Sequence, residues 1–203
     1  MKLIRPPSSE WREHLVFLGG LMRNPRNVGA IAPSSVQLAR RVAQYVTPGS
    51  RVIELGPGTG VVTREVLARA GESGTLLAVD TDRTFVERLR RAWPEVDCVC
   101  ASAETLPMLA AERGWAEVDH IVSGLPFAVL PAATTSLIID GVRRLLRSGG
   151  TFTTFQYVHT FRFPAAAAFR RQVSASLACE PSSQLVVWNV PPALVLSWHR
   201  RAH

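Results

Sequence analysis

Residues 51–60 read RVIELGPGTG, a short apolar run that includes one acid and is followed by three glycines at alternate positions. The β-branched and aliphatic residues Val52, Ile53 and Leu55 are typical of a buried parallel strand. Residues 61–70 then have the pattern of a helix, so the glycines form a strand-to-helix turn. In an open α/β sheet, ligands bind at the carboxyl ends of the strands, and glycines there let the backbone approach a ligand closely.

A second buried-strand pattern, TLLAVD, ends in Asp80, twenty residues after Gly60. An acid at this spacing from a glycine-rich turn accepts hydrogen bonds from the ribose hydroxyls of an adenosine. Asp80 is also a candidate helix N-cap, but Asp82 is placed to fill that role and to leave Asp80 free. The two patterns together predict a nucleoside-type cofactor bound at the ends of two adjacent strands.

Size and charge restrict the class of protein. The chain has 203 residues, of which 47% are hydrophobic, enough for one well-buried domain. The net charge of +7 favours an anionic partner, either a nucleic acid or an acidic membrane surface. Three cysteines without metal-ligand spacing fit a reduced cytoplasmic protein, and we predict no metal site. We find neither an apolar signal region nor a stretch long enough to span a bilayer.

Ahead of the first strand, the sequence predicts an amphipathic helix and an irregular segment. Residues 8–24 place apolar side chains, including Trp11, at helical spacing, with basic residues on either side. Such a helix either packs on the domain or lies in a membrane interface, where tryptophan and arginine are both favoured. Residues 28–33 contain glycine and proline, and their position suits a segment that closes over a ligand and excludes water.

Four stretches in chain order resemble the bacterial phospholipid N-methyltransferases, the soluble enzymes that methylate phosphatidylethanolamine. They are NVGAIAPSSVQLAR at 27–40, VIELGPGTGVVT at 52–63, VSGLP at 122–126 and NVPPALV at 189–195. The glycine turn is similar to motif I of all class I S-adenosylmethionine-dependent methyltransferases. The resemblance implies an α/β Rossmann-like fold, with a seven-stranded, mostly parallel sheet and helices on both faces. It also implies a single domain, with residues 1–47 as an N-terminal helical lid and residues 48–203 as the core.

The resemblance further implies S-adenosyl-L-methionine as the cofactor and S-adenosyl-L-homocysteine as its product. Glu54 would support the methionine end, and Asp80 would bind the ribose. The adenine would meet the turn after the third strand, although Ala101 and Ser102 stand where the family commonly has Gly-Asp. The complete set of predicted cofactor residues is Ile31, Pro33, Glu54, Gly56, Gly58, Gly60, Asp80, Ser102, Ala103, Glu104 and Ser123.

The resemblance places methyl transfer at Gly124, Leu125 and Pro126, which follow the predicted fourth strand. A turn of glycine and proline can hold its carbonyls outward, where they orient an amine and stabilise the positive charge that grows on nitrogen. Ser123 replaces the polar amide of the adenine-modifying enzymes. This replacement favours an aliphatic amine over a planar aromatic one.

Two further catalytic candidates, Tyr157 and His159, lie at the end of the predicted fifth strand, Thr151 to Val158, and just after it. A primary ammonium must lose a proton before it attacks, and histidine side chains titrate near neutral pH. A lone histidine near a strand end also has a common structural role. The sequence therefore leaves the general base open.

The sequence thus predicts a cytoplasmic enzyme, peripherally associated with the inner face of the cell membrane, that methylates the head group of phosphatidylethanolamine. Its predicted partners are an anionic membrane surface and the phospholipid, without a nucleic acid or a protein partner. An ornithine lipid is an alternative substrate. Adenine in ribosomal RNA is another, because the lipid enzymes resemble the rRNA adenine dimethyltransferases. That activity would need a base-stacking aromatic residue, which Phe127 could supply, and a basic RNA-binding domain, which the sequence does not show. A non-catalytic membrane-binding module is a third alternative, which the presence of Glu54 and Asp80 disfavours.

Overall fold

A seven-stranded sheet lies at the centre of the computed structural model, which describes residues 35–201. The strands are β1 (Arg51–Leu55), β2 (Thr75–Asp80), β3 (Asp97–Cys100), β4 (Val118–Ser123), β5 (Leu146–Tyr157), β6 (Ser182–Val186) and β7 (Ala193–His199). Their order in the sheet is β3-β2-β1-β4-β5-β7-β6. Only β7 runs against its neighbours, β5 and β6. The predicted Rossmann-like fold with a mostly parallel sheet is confirmed.

Helices cover both faces of this sheet. They are α1 (Val36–Val42), α2 (Val61–Ala70), α3 (Arg83–Ala92), α4 (Leu106–Ala111), α5 (Ala132–Leu145) and α6 (Pro164–Leu177). Two hydrophobic clusters follow from this layering: α1, α2 and α3 contribute to one, and α4, α5 and α6 to the other. Along β1, Val52 belongs to the first cluster and Ile53 to the second. Because both faces are buried, β1 is apolar from Val52 to Leu55 except for Glu54.

The helix predicted at residues 61–70 and the strand predicted to end in Asp80 are confirmed as α2 and β2. Asp82 caps α3 as expected, since its carboxylate accepts a hydrogen bond from the Thr84 amide at 2.8 Å. The predicted start of the fifth strand at Thr151 was wrong, because β5 already begins at Leu146. Gly150 pairs through its carbonyl with the Arg200 amide at 2.9 Å, so the strand continues through the glycines.

Several predictions fall on residues 1–34, outside the described part of the chain. They include the amphipathic helix at 8–24, the irregular segment at 28–33 and the cofactor contacts of Ile31 and Pro33. Among the helices of residues 35–201, none has the length and apolar character needed to cross a membrane.

Candidate functional site

The ends of β1 and β2 bring the glycine turn and Asp80 into direct contact. The Gly58 amide donates a hydrogen bond to one carboxylate oxygen of Asp80 at 3.1 Å, and the Asp82 amide donates to the other at 2.9 Å. Burial raises the pKa of the Asp80 carboxyl, and these backbone N–H groups oppose the rise. Each oxygen keeps capacity for a second hydrogen bond, so Asp80 fits the predicted role of ribose acceptor.

The glycines of the turn have backbone conformations and contacts that other residues would disrupt. Gly56, Gly58 and Gly60 all have positive φ angles, of 70°, 53° and 83°. A Cβ at Gly60 would lie 2.6 Å from the Trp93 ring, so packing against the end of α3 also requires this glycine. The packing of the fold therefore explains the glycine at position 60, in addition to the predicted contact with the cofactor.

Glu54 lies buried at the base of the glycine turn. The Thr63 hydroxyl, on α2, donates a hydrogen bond to Glu54 Oε2 at 2.7 Å. Glu54 Oε1 is buried without a hydrogen-bond partner within residues 35–201. A buried acceptor that lacks a donor fits the predicted role of Glu54 toward the cationic methionine end of the cofactor. No pattern in the sequence marks Thr63 as the hydrogen-bond partner of Glu54.

A second turn, after β4, lies directly against the first. The Gly124 amide donates to the Leu55 carbonyl at 2.8 Å, and a Cβ at Gly124 would lie 2.6 Å from the Gly56 carbonyl oxygen. The side chain of Leu125 lies beside Gly56, where a Cβ would approach it to 3.0 Å. The residues predicted for methyl transfer and those predicted for cofactor binding therefore form one continuous site.

Hydrogen bonds from neighbouring groups hold the β4 turn in place. Ser123 accepts a hydrogen bond from the Leu125 amide through its hydroxyl at 3.2 Å. Its carbonyl accepts another from the Thr154 hydroxyl at 2.9 Å. Ser123 thus shapes the turn, in addition to its predicted contact with the cofactor. Thr154, on β5, is a supporting residue that sequence reasoning missed.

The turn after β3 completes the carboxyl edge of the sheet. The Ala101 amide donates to the Asp80 carbonyl at 3.0 Å, which places this turn beside the ribose candidate. The Ser102 hydroxyl accepts from the Glu104 amide and donates to the Glu104 carboxylate, and Ala103 is buried between them. The turn that carries Ser102, Ala103 and Glu104 therefore begins beside Asp80, and their contact with adenine stays a prediction.

Comparisons with known proteins match this arrangement. A family model described as a methyltransferase domain matches residues 52–150. The ornithine lipid N-methyltransferase of Singulisphaera acidiphila is 27% identical over 70% of this chain and 76% of its own length. The 1,6-didemethyltoxoflavin-N1-methyltransferase of Burkholderia thailandensis, solved with S-adenosylhomocysteine, superposes with a TM-score of 0.68 at 18% identity, over all of this chain and 94% of its own.

The chain is an S-adenosylmethionine-dependent methyltransferase with the Rossmann-like class I fold. The predicted cofactor is confirmed at this level. Other relatives of this methyltransferase are named as ribosomal RNA methyltransferases. A probable ribosomal RNA small subunit methyltransferase A from Pyrobaculum aerophilum is 28% identical over 72% of this chain. The chain spans 51% of that relative's length, about half of the protein.

Phe127 bears on the adenine alternative, which would need an aromatic residue at this turn to stack on a base. The side chain of Phe127 is 2% exposed. Its ring stacks on that of Phe169 with a centroid distance of 4.0 Å and an interplanar angle of 13°. The hydrophobic core thus occupies this ring, and Phe127 does not offer the stacking surface that the adenine alternative would need.

The two remaining catalytic candidates of the methyltransferase, Tyr157 and His159, lie at the end of β5 and just after it. The rings of Tyr157 and His159 stack at a centroid distance of 5.7 Å, with His159 exposed to solvent. Burial raises the pKa of Tyr157, so its hydroxyl stays protonated near neutral pH. Both residues lie at the edge of the sheet that carries the two turns, and a catalytic role for either stays a prediction.

The protonation of Glu54 predicts a pH dependence of stability for the methyltransferase without cofactor. Burial raises the pKa of Glu54 from an ordinary value of 4.5 to about 8, and the Thr63 hydrogen bond opposes the rise. Between pH 4.5 and about pH 8, the Glu54 carboxyl is ionised in the unfolded chain but keeps its proton in the folded protein. The stability that Glu54 contributes is therefore fully present below pH 4.5 and is lost as the pH rises through about 8.

We expect the free energy of unfolding of the wild type to fall more steeply from pH 5 to pH 8.5 than that of a Glu54→Gln variant. Urea titrations at a series of pH values measure this difference. Glu87→Gln, which removes an exposed carboxyl on α3, is the matched control and should follow the wild type. Parallel curves for wild type and Glu54→Gln would show that Glu54 is ionised in the folded protein.

Proposed function

We propose that this methyltransferase methylates the amine of a membrane-lipid head group, with phosphatidylethanolamine as the substrate. The inward packing of Phe127 carries the proposal, because this ring is then not available to stack on a planar base. The Leu125 and Pro126 carbonyls of the β4 turn accept the Phe127 and Val129 amides at 3.0 Å, and each keeps a second lone pair that suits an aliphatic amine. The lipid N-methyltransferase from Singulisphaera acidiphila supports the same substrate class.

That relative also favours a second candidate substrate, an ornithine lipid. It is named as an ornithine lipid N-methyltransferase, and it aligns with 70% of this chain. Both candidate lipids present a primary aliphatic amine beside a polar head group. The β4 turn would therefore handle either amine by the same chemistry, and the two lipids are separate arms of one experiment.

Bound S-adenosylmethionine supplies an electrophilic methyl group on a sulfonium. Asp80 would hold the ribose hydroxyls, and Glu54 Oε1 is the buried acceptor available to the methionine end. The carbonyls of the β4 turn orient the amine and stabilise its growing positive charge. His159 is the candidate to accept the proton that a primary ammonium must lose before attack.

Charge distribution supports an anionic membrane surface as the partner. Residues 141–203 contain eight arginines and a single acidic residue, Glu180. The cytoplasmic leaflet of a cell membrane is negatively charged and attracts a protein of net charge +7. We therefore place the protein in the cytoplasm, peripherally associated with the inner face of the membrane.

A transfer assay with labelled cofactor tests the proposed function. We expect methyl label in lipid from liposomes of phosphatidylethanolamine and phosphatidylglycerol, and none from liposomes in which phosphatidylcholine replaces the primary amine. A third liposome containing ornithine lipid tests the second candidate, and structured ribosomal RNA tests the adenine alternative. Label in RNA alone would refute the lipid assignment. Thin-layer separation of the products identifies the lipid and the number of methyl groups added.

A further inference from the structure

We propose that the tip of the β6–β7 hairpin, with the adjoining β5–α6 connection, docks on an anionic lipid bilayer; this inference rests on the proposed function. We call this surface the apolar rim. Its residues are Val158, Phe163, Val187, Trp188 and Val190. Trp188 is 79% exposed, and the other four side chains are each about half exposed. A contiguous exposed apolar patch of this kind marks an interaction site.

A buried residue in the middle of the hairpin loop holds the rim outward. The Asn189 side chain is buried, accepts a hydrogen bond from the Ser35 amide at 2.8 Å and donates one to the Pro191 carbonyl at 2.7 Å. Its neighbours Trp188 and Val190 therefore point away from the domain. A fixed loop presents these apolar side chains without the entropic cost of ordering a flexible one.

The apolar rim lies on the edge of the sheet that carries the candidate active site. Because β7 is antiparallel to both β5 and β6, the strands β5 and β6 end at the same edge. Parallel pairing of β5 with β4 and of β4 with β1 places the glycine turn and the β4 turn there too. The Val158 amide donates to the Pro192 carbonyl at 3.0 Å, which joins the two halves of the rim. A membrane that contacts the rim therefore faces the site where a head-group amine would react.

The charges around the rim suit an anionic leaflet. Arg162 and His159 are exposed on the β5–α6 connection, between Val158 and Phe163 in sequence. The nearest acidic residue along the chain, Glu180, precedes β6 and thus lies toward the opposite edge of the sheet. Tryptophan and arginine side by side are favoured at the boundary between lipid head groups and acyl chains. A second copy of this chain is a poorer occupant, because two molecules of net charge +7 repel each other.

Vesicle binding by the full-length protein tests the docking surface. The probe is a vesicle of phosphatidylglycerol and phosphatidylcholine, which contains no primary amine, so binding is measured apart from methylation. We expect Trp188→Ser to weaken binding roughly tenfold, about the loss expected for one large apolar side chain. Met108→Ser is the matched control, because Met108 is 55% exposed on α4, outside the rim, and this variant should bind like the wild type.

A spectroscopic measurement reports on Trp188 without relying on affinity. Lipids brominated near the head group should quench part of the protein's tryptophan fluorescence, and a Trp188→Phe variant should lose most of that quenching. Equal quenching of both proteins, or equal vesicle affinity of Trp188→Ser and wild type, would overturn the proposal. A dimer that Trp188→Ser converts to a monomer, with vesicle binding unchanged, would overturn it in favour of a second copy.

The outcomes separate this proposal from the proposed function. If liposome amines are methylated and Trp188→Ser still binds vesicles like the wild type, the docking surface is refuted while the lipid activity stands. If no lipid is methylated but Trp188→Ser loses vesicle binding, the docking surface is supported and the substrate assignment fails. Detergent-dispersed short-chain substrate gives a third readout, because Trp188→Ser should methylate it at the wild-type rate.

Discussion

An Asp80→Asn variant is expected to bind S-adenosylmethionine about a hundredfold more weakly than the wild type. The asparagine side chain keeps one acceptor oxygen but loses the charge, so two charge-assisted hydrogen bonds to the ribose hydroxyls are weakened or lost. Each such bond contributes roughly 1.5–3 kcal/mol, and about 2.7 kcal/mol corresponds to a hundredfold change in Kd. Isothermal titration calorimetry with the cofactor measures the difference directly.

The control for Asp80 is a carboxylate close to the site that contacts no predicted cofactor group. Glu87→Gln removes an exposed carboxylate from α3, the helix that follows Asp80, and should leave the Kd unchanged. Thermal unfolding of both variants shows whether loss of the Gly58 hydrogen bond has disturbed the turn. A folded Asp80→Asn protein with wild-type affinity would show that the ribose is held by other residues.

A Gly124→Ala variant is expected to lose methyl transfer by at least about a hundredfold in kcat/KM. Its added methyl group would lie 2.6 Å from the Gly56 carbonyl oxygen, closer than any normal contact, so the two turns must separate. A displacement of about 1 Å in a reacting pair can cost roughly a hundredfold in rate. Because Gly124 does not require a positive φ angle, the effect comes from this contact alone.

Gly114→Ala is the matched comparison for Gly124→Ala. Gly114 has a positive φ of 66°, but a Cβ there meets nothing within 4 Å. The substitution should lower the free energy of unfolding by roughly 1 kcal/mol through backbone strain and leave kcat/KM unchanged. Steady-state kinetics and urea unfolding on both variants separate a loss of stability from a loss of geometry. Wild-type activity in Gly124→Ala would show that the contact between the turns is dispensable.

The features predicted correctly from sequence are those that depend on local patterns. A buried parallel strand needs an unbroken apolar run, and the positive φ angles of the turn need glycine, so β1 and its turn were identifiable from residues 51–60 alone. The placement of Asp80 followed because the carboxyl ends of neighbouring parallel strands meet at one edge. The resemblance to lipid methyltransferases then assigned chemistry to positions that the fold had already brought together.

The features that the sequence could not predict depend on partners far along the chain. Thr63 and Thr154 support Glu54 and Ser123 through hydrogen bonds, and no local pattern distinguishes these threonines from others. Phe127 follows a motif whose relatives suggest a stacking role, yet Phe169, 42 residues later, takes its ring into the core. The early start of β5 likewise arises from the pairing of Leu146 with Val118 and of the two glycines with Arg200.

The hydrogen bond between Ser35 and Asn189 spans 154 positions of the chain and has a reciprocal consequence. The same amide side chain also closes the hairpin loop, so one residue serves both the beginning of α1 and the loop before β7. The contributions of α1 and of the hairpin loop to the free energy of unfolding are therefore not additive, because loosening either element removes a hydrogen-bond partner from the other. Substitutions at the two ends of the described chain should therefore be energetically linked, although 153 residues separate them in sequence.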